Sequence, residues 1–341
     1  MAAQMRMQTG GKAMYAPPFT ITAKSIDLIS RISEKVGEIN SLENSPHRIE
    51  LRKQNRIKTI HSSLAIENNS LSIEQITAII EGKRVLGAPN EIQEVKNAIQ
   101  AYELLLSLNP YEEKDLLQAH GLMMKDLVSR NGKYRNDGVG IFDGEQVVHL
   151  APPADRVPLL MADLFEWLKT SEVHPLIKSC VFHYEFEFIH PFQDGNGRMG
   201  RLWQTVILKN WKDIFAWLPV ETLVKENQAD YYKALSASDS NADSTLFTEF
   251  MLSLILKTIE EIIETEKKVT VKVTAKVTVN QKKIIEAIRQ NPFVTQEELA
   301  NALGLSRKSI IQNMKKLQEN HLIDRVGADK NGHWELVKEE K

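Results

Sequence analysis

Apolar positions recur at helical spacing from residue 20 to about residue 106. Ser45-Pro46 opens a segment through residue 63 in which Ile49, Leu51, Ile57, Ile60 and Leu64 are interleaved with Arg48, Arg52, Lys53, Arg56 and Lys58, which predicts an amphipathic helix with a basic face. Asn68 and Asn69 interrupt it. A second helix is expected over 72–81, ending near Gly82, and a third over 90–106, with Val95, Ala98, Ile99 and Leu104 at helical spacing. In the following block, helical patterns cover 112–127, 155–170, 174–190 and 198–209. Between the first two, β-prone runs flank Asp143-Gly144, a hairpin signal that Ala151-Pro152-Pro153 terminates. The stretch KKVTVKVTAKVTVNQ, 267–281, repeats Lys-Val-Thr three times and is expected to be a linker with β propensity, too short for a repeat fold.

The pattern changes again beyond residue 281. A helix is expected at 284–288. A second starts at Thr295 with Glu298 three residues on, the spacing of a capping box. After the turn Gly304-Leu305-Ser306, a third helix covers 306–320 and is expected to turn Ile310, Ile311, Met314 and Leu317 inward. Two strands, 322–326 and 333–337, joined by the polar loop 327–332, complete a winged-helix layout. The whole is therefore a mainly α chain: tail 1–19, N-terminal helical region 20–106, helical core with a small β-hairpin 107–265, linker 266–280 and winged helix 281–341.

Composition narrows the function classes. The 341 residues carry 42% hydrophobic and 26% charged side chains and a formal charge of −2, so the chain as a whole has no electrostatic footprint for nucleic acid or membrane. Its one cysteine, Cys180, excludes an intramolecular disulfide and fits a reducing, cytoplasmic setting. The N-terminus lacks an apolar signal core, and no run of about 18 apolar residues predicts a membrane helix. The third winged-helix segment places Arg307, Lys308, Lys315 and Lys316 on polar positions, a DNA-binding layout. Yet residues 281–341 hold 11 Lys and Arg against 9 Asp and Glu, a weak excess for a dedicated DNA binder. Protein docking or dimerisation is an equal reading of that module. The scattered His61, His120, His174, His183 and His321 form no ligand spacing for zinc, and Trp203, Trp211 and Trp217 read as core.

The chemistry concentrates in His190-Pro191-Phe192-Gln193-Asp194-Gly195-Asn196-Gly197-Arg198-Met199-Gly200-Arg201. The turn Gly195-Asn196-Gly197 directly precedes a helix, so its N–H groups converge on a helix N-terminus and suit a phosphate. Arg198 and Arg201 are three apart and share a helix face, which suggests more than one phosphate. Asp194 at the mouth of the turn is a carboxylate placed as Mg²⁺ prefers, beside phosphate oxygens. His190 alone among these groups has an ordinary pKa near neutrality and is the natural general base.

This string resembles the Fic-domain signature His-Pro-Phe-x-(Asp/Glu)-Gly-Asn-Gly-Arg-x-x-Arg at every fixed position. Tyr184 to Ile189 and Gly132-Lys133-Tyr134-Arg135 also look like that family, and the likeness covers roughly 45–265. The resemblance implies a protein adenylyltransferase that moves AMP from ATP to a Ser, Thr or Tyr hydroxyl of a target protein or of itself. His190 would take the hydroxyl proton, and Asp194 would hold Mg²⁺ on the α- and β-phosphates. Asn196 with the amides of Gly195 and Gly197 would orient the phosphates, and Arg201 would bind the γ-phosphate. The hairpin carrying Val147, Val148, His149 and Leu150 would be the flap that pairs with a target strand. Tyr231 and Tyr232 match a tyrosine pair near the adenine, although Asp239 stands where relatives often have Asn. Ser63, Glu67 and Asn68 fit the inhibitory pattern (Ser/Thr)-x-x-x-Glu-(Gly/Asn), in which the Glu pairs with the second arginine and in some relatives also aligns a water that removes AMP. Many members are dimers, so a homodimer is implied. A different class of reading is a DNA-binding regulator that uses the core as a nucleotide sensor.

Overall fold

The computed structural model describes residues 6–9, 12–41, 46–138, 140–143, 146–275, 278–320, 322–327 and 332–336. Side chains of 6–14, 40–50, 140–150 and 266–275 lie outside that description. So do Gly10 and Gly11 of the tail, the Ser45 helix start, the Gly144-Glu145 turn, His321 and the wing-loop residues Ala328 to Asn331. The chain divides into two units, one of residues 1–36 and 54–259 and one of residues 37–53 and 260–341.

In chain order the elements begin with the strands β1 (Arg6–Thr9) and β2 (Lys12–Tyr15) and the helices α1 (Ala23–Ser41), α2 (Pro46–Ile66), α3 (Ile73–Ile80), α4 (Pro89–Leu104) and α5 (Glu113–Met123). The hairpin β3 (Gly140–Asp143) and β4 (Gln146–Leu150) follows. Then come α6 (Val157–Thr170), α7 (Pro175–Ile189), α8 (Asn196–Trp211), α9 (Val220–Glu226), α10 (Gln228–Asn241) and α11 (Thr245–Ala275). The last are α12 (Val279–Gln290), α13 (Gln296–Leu303), α14 (Arg307–Glu319), β5 (Ile323–Val326) and β6 (His333–Leu336).

The core of the first unit is the pair α7 and α8. Phe182, Phe186 and Ile189 of α7 and Met199, Leu202, Trp203 and Val206 of α8 are buried against α2, α4, α5 and α6. α7 buries even its polar residues Ser179, His183, Glu185 and Glu187. A helix enclosed on all sides is a rigid platform for whatever its ends carry. The hairpin has the expected antiparallel register, Gly140 opposite Leu150 and Asp143 opposite Gln146, with a bulge between Ile141 and Phe142. α3 starts at the Ser72–Gln75 capping box.

Within the tail, β1 and β2 pair antiparallel, Arg6 opposite Tyr15, and the chain after them is tied to the core. The Tyr15 hydroxyl donates to the Glu185 carboxylate at 2.6 Å, and Ser244 N–H donates to Pro18 O at 2.9 Å. Burial pushes the Glu185 carboxyl up to about 7, and Tyr15 supplies a donor that this group would otherwise lack. The Lys-Val-Thr stretch does not follow its β propensity, for α11 continues into it as far as Ala275. Its β-branched residues favour strands in isolation. Here the helix is already nucleated by a buried stripe of Phe247, Met251, Leu252, Ile255 and Ile259, and extending a formed helix is far easier than starting one.

The second unit carries the winged helix. Ile284, Ile288, Leu299, Ile310, Met314, Leu317, Ile323 and Trp334 form its core. The Thr295–Glu298 capping box is present, and a Thr278–Gln281 box that starts α12 was not anticipated. Ile311 points outward, 42% exposed, because one residue of helix rotates it away from the face shared by Ile310, Met314 and Leu317. Arg307, Lys308, Lys315 and Lys316 are exposed on α14. If they contact phosphates, residues 278–341 will shift duplex DNA at low salt and lose it steeply as salt rises; a shift insensitive to salt, or none, favours the protein-docking reading. No helix among the described residues is long and apolar enough to cross a membrane.

Candidate active site

The loop between α7 and α8 is assembled by its own backbone needs. His190 caps α7 in the left-handed region (φ 49°), its N–H still bonded to Phe186 O, so the chain turns sharply off the helix. Arg135 braces that turn from outside. Its Nε donates to His190 O at 2.7 Å, its Nη1 to Asp137 O at 2.8 Å and its Nη2 to Pro152 O at 2.5 Å, while its N–H donates to Pro191 O at 2.9 Å. The His190 ring is itself oriented, with Nδ1 3.3 Å from Glu187 O. That contact leaves Nε2 as the atom to meet a substrate proton.

Six residues after His190, Asn196 uses both ends of its carboxamide within the loop. Oδ1 accepts from Phe192 N–H at 2.8 Å, and Nδ2 donates to Phe192 O at 2.9 Å. Its side chain therefore sets the shape of the turn. Gly195 (φ 84°) caps α8 without a side chain, leaving first-turn N–H groups for an anion. A Cβ there would also lie 2.6 Å from Met124 Sδ. Gly195→Ala should cost about 1–2 kcal/mol from backbone strain alone, read as a lower unfolding midpoint; an unchanged midpoint would show that the loop relaxes freely.

His120 is the residue that sequence reasoning missed. Its ring stacks on Phe192 with centroids 3.6 Å apart, Nδ1 accepts from Gly132 N–H at 2.8 Å, and Nε2 reaches Asp194 O at 3.0 Å. The amide at Nδ1 forces the proton onto Nε2. Burial pushes the ring down to about 4, so it stays neutral and donates to the loop carbonyl. Gly132 (φ 69°) and Arg135 thus give the Gly132-to-Arg135 motif its physical meaning: both ends of it brace the catalytic loop. A lone histidine on α5 carried no signal of this in the sequence.

Both arginines of the loop are buried and paired. Arg201 Nη2 lies 2.7 Å from Glu67 Oε1 and donates to Ser63 O at 3.0 Å, and its Nε donates to Ser63 Oγ at 3.3 Å. Burial pulls the guanidinium down, but the Glu67 carboxylate, Tyr231 and Glu187 together outweigh it and hold it above its ordinary value. Arg198 contacts Glu94 at 3.3 Å and Asp194 at 3.4 Å. Glu67 is delivered by the end of α2: Asn69 N–H bonds Leu64 O at 3.1 Å, and Asn68 takes φ 67°. This left-handed helix stop is one that Asn or Gly tolerates, which explains the residue after Glu in the pattern. A Cβ on Gly197 would sit 2.5 Å from Glu67 Oε1, so the glutamate oxygen lies directly on the first turn of α8.

The tyrosine pair is split. Tyr231 is taken into the core, 1% exposed, with its hydroxyl 3.1 Å from His183 Nε2, whereas Tyr232 is half exposed. Asp239 accepts from the Tyr184 hydroxyl at 2.8 Å and serves packing on that side. Val147, Val148, His149 and Leu150 lie in β4, and their side chains are outside the described residues. No group of three or more His, Cys, Asp or Glu that could hold a metal occurs among the described residues. Asp194 offers one carboxylate, 59% exposed, which fits a magnesium ion whose other ligands are phosphate oxygens and water.

The Fic/DOC family profile matches residues 106–208, and a winged helix-turn-helix DNA-binding profile matches residues 278–324. The chain is 25% identical over 248 residues to a protein adenylyltransferase Fic of Culex quinquefasciatus, covering 70% of this chain and 47% of that protein. It is 27% identical over 264 residues to a probable protein adenylyltransferase of Aquifex aeolicus, covering 73% and 76%. The chain thus spans about half the length of the first of these relatives. Among solved structures, a Fic domain containing signaling protein from Bacteroides thetaiotaomicron shares the fold, with TM-score 0.59, 19% identity and coverage of 72% and 98%. A Fic family protein from Desulfovibrio desulfuricans is 47% identical, covers 96% of this chain and 100% of its own, and superposes with TM-score 0.72. The chain belongs to the Fic family.

Proposed function

We propose that the chain is a protein adenylyltransferase held in check by Glu67. His190 Nε2 takes the proton from a target Ser, Thr or Tyr hydroxyl. The hydroxyl oxygen attacks the α-phosphorus of ATP in line, a P–O bond forms, the α–β bridge breaks, and pyrophosphate leaves. Asp194 would hold Mg²⁺, which would supply charge neutralisation for the phosphates. The first-turn amides of α8 receive phosphate oxygens, and Arg201 receives the γ-phosphate. This is positioning with charge stabilisation, the general logic of phosphoryl-group transfer. β4 pairs with β3 on one side, and its other edge, without a strand among the described residues, suits an added target strand.

The observation that carries the regulatory half is Glu67 Oε1, 2.7 Å from Arg201. That oxygen lies against the first turn of α8, which supports the reading that the glutamate and a γ-phosphate compete for one arginine. On this reading the same carboxylate, 30% exposed, also aligns a water that hydrolyses AMP from a modified target. Mass spectrometry of the Glu67→Gly protein after ATP and Mg²⁺ tests the reading: a mass gain equal to AMP, localised to a hydroxyl residue, is expected, and no gain would refute transfer. The match of residues 278–324 to a DNA-binding winged helix favours a second role for that module, recruitment to duplex DNA.

A further inference from the structure

Glu67 is not the only carboxylate from outside the loop that engages its arginines. Glu94, on α4, reaches in two directions. Its Oε1 lies 3.3 Å from Arg198 Nη1, and its Oε2 accepts from Asn69 Nδ2 at 2.7 Å. Asn69 follows Glu67 by two residues, across the left-handed Asn68. Asn69 Nδ2 also donates to Glu91 O at 3.2 Å, and Ser70 N–H donates to the Glu91 carboxylate at 2.7 Å. The turn that presents Glu67 is therefore pinned to α4, and the same Glu94 carboxylate pins it to α8. On the other flank, Lys225 Nζ donates to Ala65 O at 2.7 Å and Gln228 Nε2 to Ile66 O at 3.1 Å, which seats the last carbonyls of α2.

We propose that Glu94 is a second restraining carboxylate. It is a positioning residue that keeps the Glu67 turn seated and withholds Arg198 from a triphosphate, as Glu67 withholds Arg201. This rests on the reading of Glu67 as an inhibitor. The Arg198 side chain is 4% exposed and Glu94 21%, so water screens the pair far less than it would a surface pair. The pair is also exchangeable. Arg198 Nε–H is buried with no partner among the described residues, and the contacts to Glu94 and Asp194 are long for charged hydrogen bonds. A phosphate that fits the guanidinium fork can replace a carboxylate held this loosely. Because one carboxylate serves both Arg198 and Asn69, releasing Arg198 loosens the turn that aims Glu67. Two carboxylate–arginine pairs thereby open as a coupled unit.

The test compares the whole chain as wild type, Glu67→Gly, Glu94→Gln, Asn69→Ala and the Glu67→Gly/Glu94→Gln double variant. AMP incorporation and KM for ATP are read with Mg²⁺ present. Glu94→Gln can keep a hydrogen bond to Asn69 but removes the charge facing Arg198; Asn69→Ala does the reverse. Glu94→Gln and Asn69→Ala are each expected to raise incorporation about tenfold, within the usual range for coupled sites. Adding Glu94→Gln to Glu67→Gly should lower KM for ATP severalfold with kcat unchanged, which a general loss of stability would not do. An activated Glu67→Gly with Glu94→Gln and Asn69→Ala no faster than wild type overturns the role of Glu94 and leaves that of Glu67 standing. A double variant with the KM of Glu67→Gly alone also overturns it. A Glu67→Gly protein no faster than wild type removes the reading beneath, and this proposal with it.

Discussion

Replacing Glu67 by glycine is expected to raise AMP incorporation from ATP by roughly two orders of magnitude. In the resting protein the Arg201 guanidinium is 3% exposed and spends Nη2 on Glu67 at 2.7 Å. On the proposed reading, a triphosphate is held productively only in the fraction of molecules in which that pair is broken. Breaking a buried pair by removing one partner typically costs about 3–5 kcal/mol, and an incoming phosphate returns part of it. A remaining barrier of about 2–3 kcal/mol sets the open fraction at roughly one in a hundred. Glycine removes the competitor altogether. It should do so without unfolding the segment, because Glu67 follows the last residue of α2 and a helix end accepts glycine. The Ser63 contacts to Arg201 remain and keep the guanidinium in place. Initial rates of labelled AMP incorporation, with KM for ATP measured in both proteins, are the check. Equal rates would remove autoinhibition from the account while leaving the transfer chemistry untouched.

Adding His190→Ala to the Glu67→Gly protein should cut that rate by about 10²–10⁴-fold. On the proposed reading Glu67 holds the wild-type rate down, so the Glu67→Gly background is the place to measure it. Only this imidazole in the loop can take a hydroxyl proton near neutral pH, and its orientation is imposed from behind by Glu187 O on Nδ1. The turn should survive the substitution, because the braces from Arg135 act on the main-chain oxygens of His190 and Pro191. Nucleotide affinity by calorimetry should therefore stay within a few-fold of the parent while turnover is lost. If affinity falls with the rate, His190 is shaping the nucleotide site rather than moving a proton.

Local chemistry made much of this legible. Residues 190–201 contain a base, an exposed carboxylate, a glycine turn and two arginines at a spacing that only a helix start reconciles, and the structure has α8 begin at Asn196. Ser72 and Thr295 announced helix starts because capping is settled within four residues. Ser63, Glu67 and Asn68 formed a short pattern whose parts acquire meaning only in three dimensions. Ser63 and Glu67 both meet Arg201, 138 and 134 residues away, and Asn68 supplies the left-handed stop.

What the sequence determined by itself is the local grammar: helix periods, caps, the hairpin, the winged-helix order and the identity of the reactive loop. These follow from interactions a few residues apart. Tertiary structure alone decided that Val-Thr repeats extend α11, that Tyr15 and Glu185 satisfy each other, and that Tyr231 is core while Tyr232 faces out. It also decided that His120, Glu94 and Lys225 hold the loop before α8 and the turn after α2. The physical reason is common to all of these. A buried polar group must find a partner wherever the fold brings one, and that partner is set by packing between distant helices, which no local pattern encodes.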